Sequence, residues 1–205
     1  IEDRDDEIFS TNATYILPEL QLSFDNVLYG SLYPVSGWRV DAGIRFSPDM
    51  PNSSRQFVSL RTDIRRYFNV SREYSFALRA SAASSQGKNP ETFLAGGISN
   101  WINYELDGSY IDYLSDYEDL YFSEYVVPIR GVPYFAYTGN HYTAFNAEFR
   151  FPFIDYLSVR WPISLVIGNV RGEIFSDWVK TWNADQIDGL TLTDILFTDQ
   201  NNSYW

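Results

Sequence analysis

Hydrophobic and polar residues alternate with a period of two along most of this chain, and that period predicts β-strands. The clearest run covers residues 37–46, where Trp38, Val40, Ala42, Ile44 and Phe46 fall on one face and Arg39, Asp41, Gly43 and Arg45 on the other. In 57–68, Val58, Leu60, Ile64 and Phe68 alternate with Ser59, Arg61, Asp63 and Arg65; in 74–82, Tyr74, Phe76, Leu78, Ala80 and Ala82 alternate with Ser75, Arg79 and Ser81. Upstream, Leu20, Leu22 and Phe24 alternate with Glu19, Gln21, Ser23 and Asp25, and a turn with Gly30, Pro34 and Gly37 follows. Two more strands are predicted at 141–153 and 165–178. Helical periodicity of any length is hard to find. No window holds the ~18 consecutive apolar residues that a transmembrane helix needs, so a helical membrane protein is excluded and the chain reads as all-β.

A soluble β-sandwich also alternates, so length and edge chemistry carry the next step. The predicted strands run to ~10–14 residues, whereas globular strands average ~5–6 and a tilted strand crosses a bilayer in ~9–11. One face is nearly pure hydrocarbon and aromatic; the other carries full charges, which in a barrel would face a wet lumen. The expected fold is an antiparallel transmembrane β-barrel, with a large antiparallel sheet solvated on one face as the alternative. Residues 86–139 break the rhythm with Gly87, Pro90, Gly96, Gly97, an acidic Tyr-rich stretch and then Pro128, Gly131 and Pro133. This segment reads as a long loop region with short strands near 93–97 and 120–127, and loops of such length are commonly functional or disordered. There is no internal repeat that would suggest a propeller or solenoid.

Composition sharpens this picture. Of 205 residues, 18% are aromatic and only 20% charged, with one Met and no Cys, which excludes a disulfide scaffold or a Cys-ligated zinc domain and suits the aromatic girdles of a barrel. The net charge of −12 argues against nucleic acid as a partner, because phosphate binding is driven by clustered Lys and Arg. The opening Ile1, with no basic-then-apolar segment after it, predicts an excerpt of a longer protein.

Three motifs resemble the bacterial surface antigen family, the C-terminal barrel of outer-membrane protein assembly factors and two-partner secretion transporters. Gly96-Gly97 is followed by Ile129-Arg130-Gly131-Val132-Pro133-Tyr134, similar to the family's Val-Arg-Gly-aromatic loop, with Val132 and Pro133 intervening before the aromatic residue. Thr138-Gly139 precedes a strand in which Asn146, Glu148, Arg150 and Pro152 resemble the family's Asn-x-Glu-x-Arg-x-Pro strand. Phe175, Asp177 and the later Trp182 resemble its Phe-x-Asp-x-Gly strand, with Val179 at the Gly position. The resemblance covers residues 93–182. It implies a barrel of sixteen strands, of which 1–205, as a single partial barrel domain, would supply about half to two thirds at about a dozen residues per strand. Few closing strands are visible after Trp182, so the natural protein is expected to continue at both ends.

Alternation counted from Phe145, Phe149, Phe151 and Phe153 as outward residues turns Asn146, Glu148 and Arg150 inward. In the next strand Val166, Val170 and Ile174 face outward while Arg171, Glu173 and Asp177 face inward. A guanidinium on a loop folded into the lumen could bridge such carboxylates in a planar geometry that Lys could not reproduce. The resemblance implies that Arg130 is this group, pinned by Asp177 and Glu148, with Gly131 giving the loop tip a conformation that other residues avoid.

Catalysis has little support, and no cofactor or metal is expected. His141 is the only histidine and stands at a strand start. Ser85 and Lys88 have a Ser-x-x-Lys spacing without companion motifs. The acidic residues Asp112, Asp116, Glu118 and Asp119 lack a regular Ca²⁺-ligand spacing. Asn12, Asn52, Asn69 and Asn201 begin glycosylation sequons that carry no meaning in a bacterial outer membrane. The leading expectation is therefore a non-enzymatic outer-membrane barrel, in contact with outer-membrane lipid and with client or partner proteins, that inserts or translocates other proteins. The alternatives are a membrane anchor for an upstream domain and a soluble β-sandwich binding module.

Overall fold

The computed structural model describes residues 14–30, 33–51, 53–71, 73–97, 121–132, 135–160 and 162–183. Among these, all ten elements are strands: β1 (Glu19–Asp25), β2 (Leu28–Tyr29), β3 (Pro34–Ser47), β4 (Gln56–Asn69), β5 (Ser75–Lys88), β6 (Thr92–Gly96), β7 (Ser123–Pro128), β8 (Tyr137–Gly139), β9 (His141–Val159) and β10 (Leu165–Trp182). The main sheet is antiparallel throughout, in the order β1-β3-β4-β5-β9-β10, with the short β2 also on β3.

The register explains why the alternation is so sharp. Phe24, Val40, Ile64, Ala80, Phe145 and Trp178 stand opposite one another across the six strands. The adjacent row, one residue along, reads Asp25, Arg39, Arg65, Arg79, Asn146 and Asp177. Because successive side chains point to opposite sides, these rows define an apolar face and a polar face, and slipping any strand by one residue would move charge into the apolar row.

Residues 89–140 lie between β5 and β9 and contain a second sheet in the order β7-β6-β8, with β6 and β7 parallel. We refer to this segment as the insert. Its core packs on the polar face: Phe93, Ala95, Val127 and Ile129 bury themselves against the small Ala83 and Ala144 and against Tyr142. Phe93 and Val127 are fully buried. The small side chains of β5 and β9 leave the room that the insert fills, and the Phe93 ring meets Tyr142 edge-on at 5.3 Å.

The structure corrects one expectation and adds a register shift that the alternation does not show. Strand β5 continues through Gln86, Gly87 and Lys88, so the segment expected as a loop over 86–139 begins inside a strand; Gly87 has φ +138°, and a side chain there would collide with the Gln56 carbonyl. The insert carries short strands at Thr92–Gly96 and Ser123–Pro128, close to where the sequence predicts them. In β9 the register against β10 shifts by one residue, so that Val170 faces Ile154 while Arg171 faces Pro152. Phe153 is the extra residue, and beyond it the even-numbered Ile154, Tyr156 and Ser158 take the β10 partners that the odd positions held before. The fold is all-β and mostly antiparallel; among the described residues the sheet is open, with β1 and β10 at its edges.

If the insert core anchors the insert to the sheet, Phe93→Ala will cost about 3–5 kcal/mol of unfolding free energy, measured from the urea midpoint. An unchanged midpoint would mean that the insert is not packed on the sheet.

Candidate functional site

Immediately after β7, the insert delivers Arg130 to the polar face of β10. The Arg130 backbone N–H donates to Asp177 Oδ2 at 3.2 Å, Nε donates to the same oxygen at 2.8 Å, and Nη2 donates to Oδ1 at 2.8 Å. Nη1 donates to Glu173 Oε1 at 2.6 Å and lies 3.2 Å from Glu148 Oε1. Asn146 completes the Asp177 shell, its Nδ2 donating to Oδ1 at 2.9 Å. The guanidinium also sits 3.7 Å from the centre of the Phe175 ring, where the face of the π-system attracts a cation.

The Asp177 side chain is only 3% exposed. An ionised carboxylate removed from water is costly unless paired and hydrogen-bonded, and four donors here supply that pairing. The fork matches the carboxylate at two points and adds the backbone N–H, a geometry that one ammonium cannot reproduce. The same contacts raise the Arg130 pKa above its ordinary value, the Asp177 hydrogen bonds leading, so the cation is permanent.

Alternation with a period of two assembles the carboxylates. Glu173, Phe175 and Asp177 share the polar face of β10, as do Asn146, Glu148 and Arg150 on β9, and the register sets Asp177 opposite Asn146, Phe175 opposite Glu148 and Glu173 opposite Arg150. Arg150 in turn donates to Glu148 Oε2 and approaches Glu173 Oε2 at 3.6 Å. Gly131 follows with φ +88° and open space around its α-carbon, so its role is conformational rather than steric. Pro152 lies at the β9 register shift, past Arg150, where pairing with β5 ends, so its missing N–H breaks no ladder bond. Trp182 is not brought to this cluster: it sits on the apolar-face row with Ser84 and His141, stacked on His141 at 5.7 Å. Pro133 and Tyr134 lie outside the described residues.

Contacts absent from the sequence reading hold the other end of the insert. Arg45 Nη1 donates to the buried Glu91 at 2.7 Å, Arg61 Nη1 donates to Glu124, and Glu19 accepts from both Arg45 and Arg61. The alternation marks both arginines as polar-face residues; what it could not supply was the position of Glu91 and Glu124, which lie in the arrhythmic segment. Ser85 and Lys88 are three apart on a strand and so point to opposite faces; the Ser85 hydroxyl accepts from the Glu91 N–H. His141 Nδ1 is 2.9 Å from Ser84 Oγ. Among the described residues no group of three or more His, Cys, Asp or Glu is arranged to hold a metal ion; the cluster at Asp112, Asp116, Glu118 and Asp119 lies outside them.

No protein-family model matches the chain, and no curated protein sequence matches it significantly.

Arg130→Lys keeps the charge but loses the fork, and should cost about 1–3 kcal/mol, seen as faster protease cleavage within 89–140. Phe175→Leu, which removes only the ring, should cost about 0.5–2 kcal/mol in the same assay. Cleavage at the wild-type rate in both variants would show that the cluster does not hold the insert.

Proposed function

We propose that this chain is part of an outer-membrane β-barrel of the bacterial surface antigen type, with its insert held inside the lumen by Arg130, acting in insertion or translocation of other outer-membrane or secreted proteins. The observation that carries this reading is the uncovered apolar face. Leu22 is 70% exposed, Val166 61% and Ile174 63%, and they belong to a surface spanning all six long strands. Monomers in water seldom expose contiguous apolar patches beyond a few hundred Å². Lipid accounts for that face, and a wet lumen accounts for the charged one.

Connection lengths fit the same reading. The β4–β5 and β9–β10 connections are short and lie at one end of the sheet, while the insert leaves from the other. Outer-membrane barrels have short periplasmic turns and longer extracellular loops, so the insert enters from the outer side. Unpaired strand edges cannot rest in lipid, so this reading requires β1 and β10 to be paired in the assembled barrel. The meeting of Arg130 with Asp177 and Glu148, and of Asn146 with Asp177, supports the resemblance to the assembly and secretion barrels over a generic pore.

The chain is expected to require detergent for solubility, to change gel mobility on heating, and to show Trp fluorescence quenched by brominated lipid, since Trp38 and Trp178 lie on the apolar face. A stable monomer in plain buffer would overturn the barrel and favour the soluble module. Liposomes carrying the protein should speed insertion of an unfolded outer-membrane protein; quenching without that acceleration would point to the membrane-anchor reading instead.

A further inference from the structure

On the polar face, Arg39, Arg65 and Arg79 stand directly opposite one another across β3, β4 and β5. Like charges in cross-strand register repel. The row nearer the insert supplies Asp41 and Asp63: Arg39 bonds Asp41 at 3.0 Å, while Arg65 and Arg79 share the single carboxylate of Asp63, each at 2.6 Å. The row on the other side reads Tyr67, Ala77 and Glu148. Ala77 is too small to fill its place there, and a cavity of about 270 Å³ opens beside it.

Four arginines line this cavity, Arg65, Arg79, Arg130 and Arg150, with one acidic residue, Glu148. Glu148 is already engaged by Arg130 and Arg150. On the side formed by Arg65 and Arg79 the one carboxylate is Asp63, which is not part of the lining; Arg79 Nη2 also donates to the Val126 carbonyl at 3.3 Å, and Tyr67 bonds Arg65, so two guanidiniums there share a single counter-charge. We propose that the cavity is a binding site for an oxyanion, a phosphate or carboxylate group, seated beside Ala77 against Arg65 and Arg79. Planar N–H forks are suited to two-oxygen contacts with such groups, and an anion there relieves the repulsion along the arginine row. Pro128 and Arg130 of the insert also line the cavity, so an oxyanion bound there bridges sheet and insert and, by linkage, stabilises the docked insert. The site is formed by the described residues alone and does not depend on the membrane reading.

The test is calorimetric titration of the folded full chain with sodium phosphate, ionic strength being held constant with sodium chloride, and with sodium acetate in a parallel arm. Saturable binding at one site is expected. Ala77→Leu, which fills the floor without changing charge, should abolish it, and Arg79→Gln should weaken it about tenfold, the loss of one charge-assisted contact. Arg66→Gln removes a guanidinium from the opposite face, where it stacks on Trp38, and should leave affinity unchanged. Tighter phosphate than acetate assigns a phosphoryl ligand, and the reverse a carboxylate. Heats indistinguishable from chloride, wild-type affinity in Ala77→Leu, or equal weakening in Arg66→Gln would overturn the proposal; should Ala77→Leu not fold, wild-type affinity in Arg79→Gln does so.

Discussion

One carboxylate sets the constraint on which the arrangement rests. Asp177 is nearly excluded from solvent on an edge strand, and its charge is matched by three N–H groups of Arg130 and one of Asn146. Removing one member of a buried pair strands the other in low dielectric, which is far costlier than losing an exposed bridge. The pair therefore fixes residue 130 in space, and with it the C-terminal end of β7. Arg45 with Glu91 and Arg61 with Glu124 hold the start of β6 and the body of β7, and the apolar contacts of Phe93, Val127 and Ile129 fill the space between.

The sheet makes this possible because it has two chemically opposite faces. The polar face provides guanidiniums and carboxylates for the insert to meet, along with the small residues Ala83 and Ala144 on which its core rests. Beneath the insert the Tyr142 hydroxyl and Ser81 Oγ pair at 2.8 Å. Among the described residues the apolar face has no such partner. Its aromatic residues cluster toward the short-turn end, where Phe68, Phe76 and Phe149 run across three strands with ring centres 5.4 and 4.8 Å apart; under the proposed barrel reading this row is the aromatic belt at one interface.

The strands were legible wherever alternation was strict, as in 37–46, because a period of two is a local property. It fades where Ser84, Ser85, Gln86 and Gly87 replace the apolar residues of β5, so the pattern predicts a loop where that strand in fact continues. The Phe153 register shift was hidden because a bulge leaves the run of apolar residues intact and changes only their partners. The β6–β7 parallel pair was illegible for a different reason: its strands are short, and their pairing is decided by tertiary contacts with Ala83 and Tyr142. For the site, alternation placed Glu148, Glu173 and Asp177 on one face, but choosing among them for Arg130 required the resemblance. Glu173 and Phe175, which contact the guanidinium directly, were readable as neighbours of Asp177 but not as its partners in the contact. Trp182, five residues on from Asp177, falls on the other face by parity alone.

The most direct measurement of this account is the coupling between Arg130 and Asp177 in a double-mutant cycle, from unfolding free energies of the wild type, Arg130→Ala, Asp177→Ala and the double variant. A latch of this geometry predicts a coupling of about 2 kcal/mol or more, the double variant costing much less than the sum of the singles. Single effects that add to within about 0.5 kcal/mol would contradict it, and the insert would then be held by its apolar core and by Glu91 and Glu124 without Arg130.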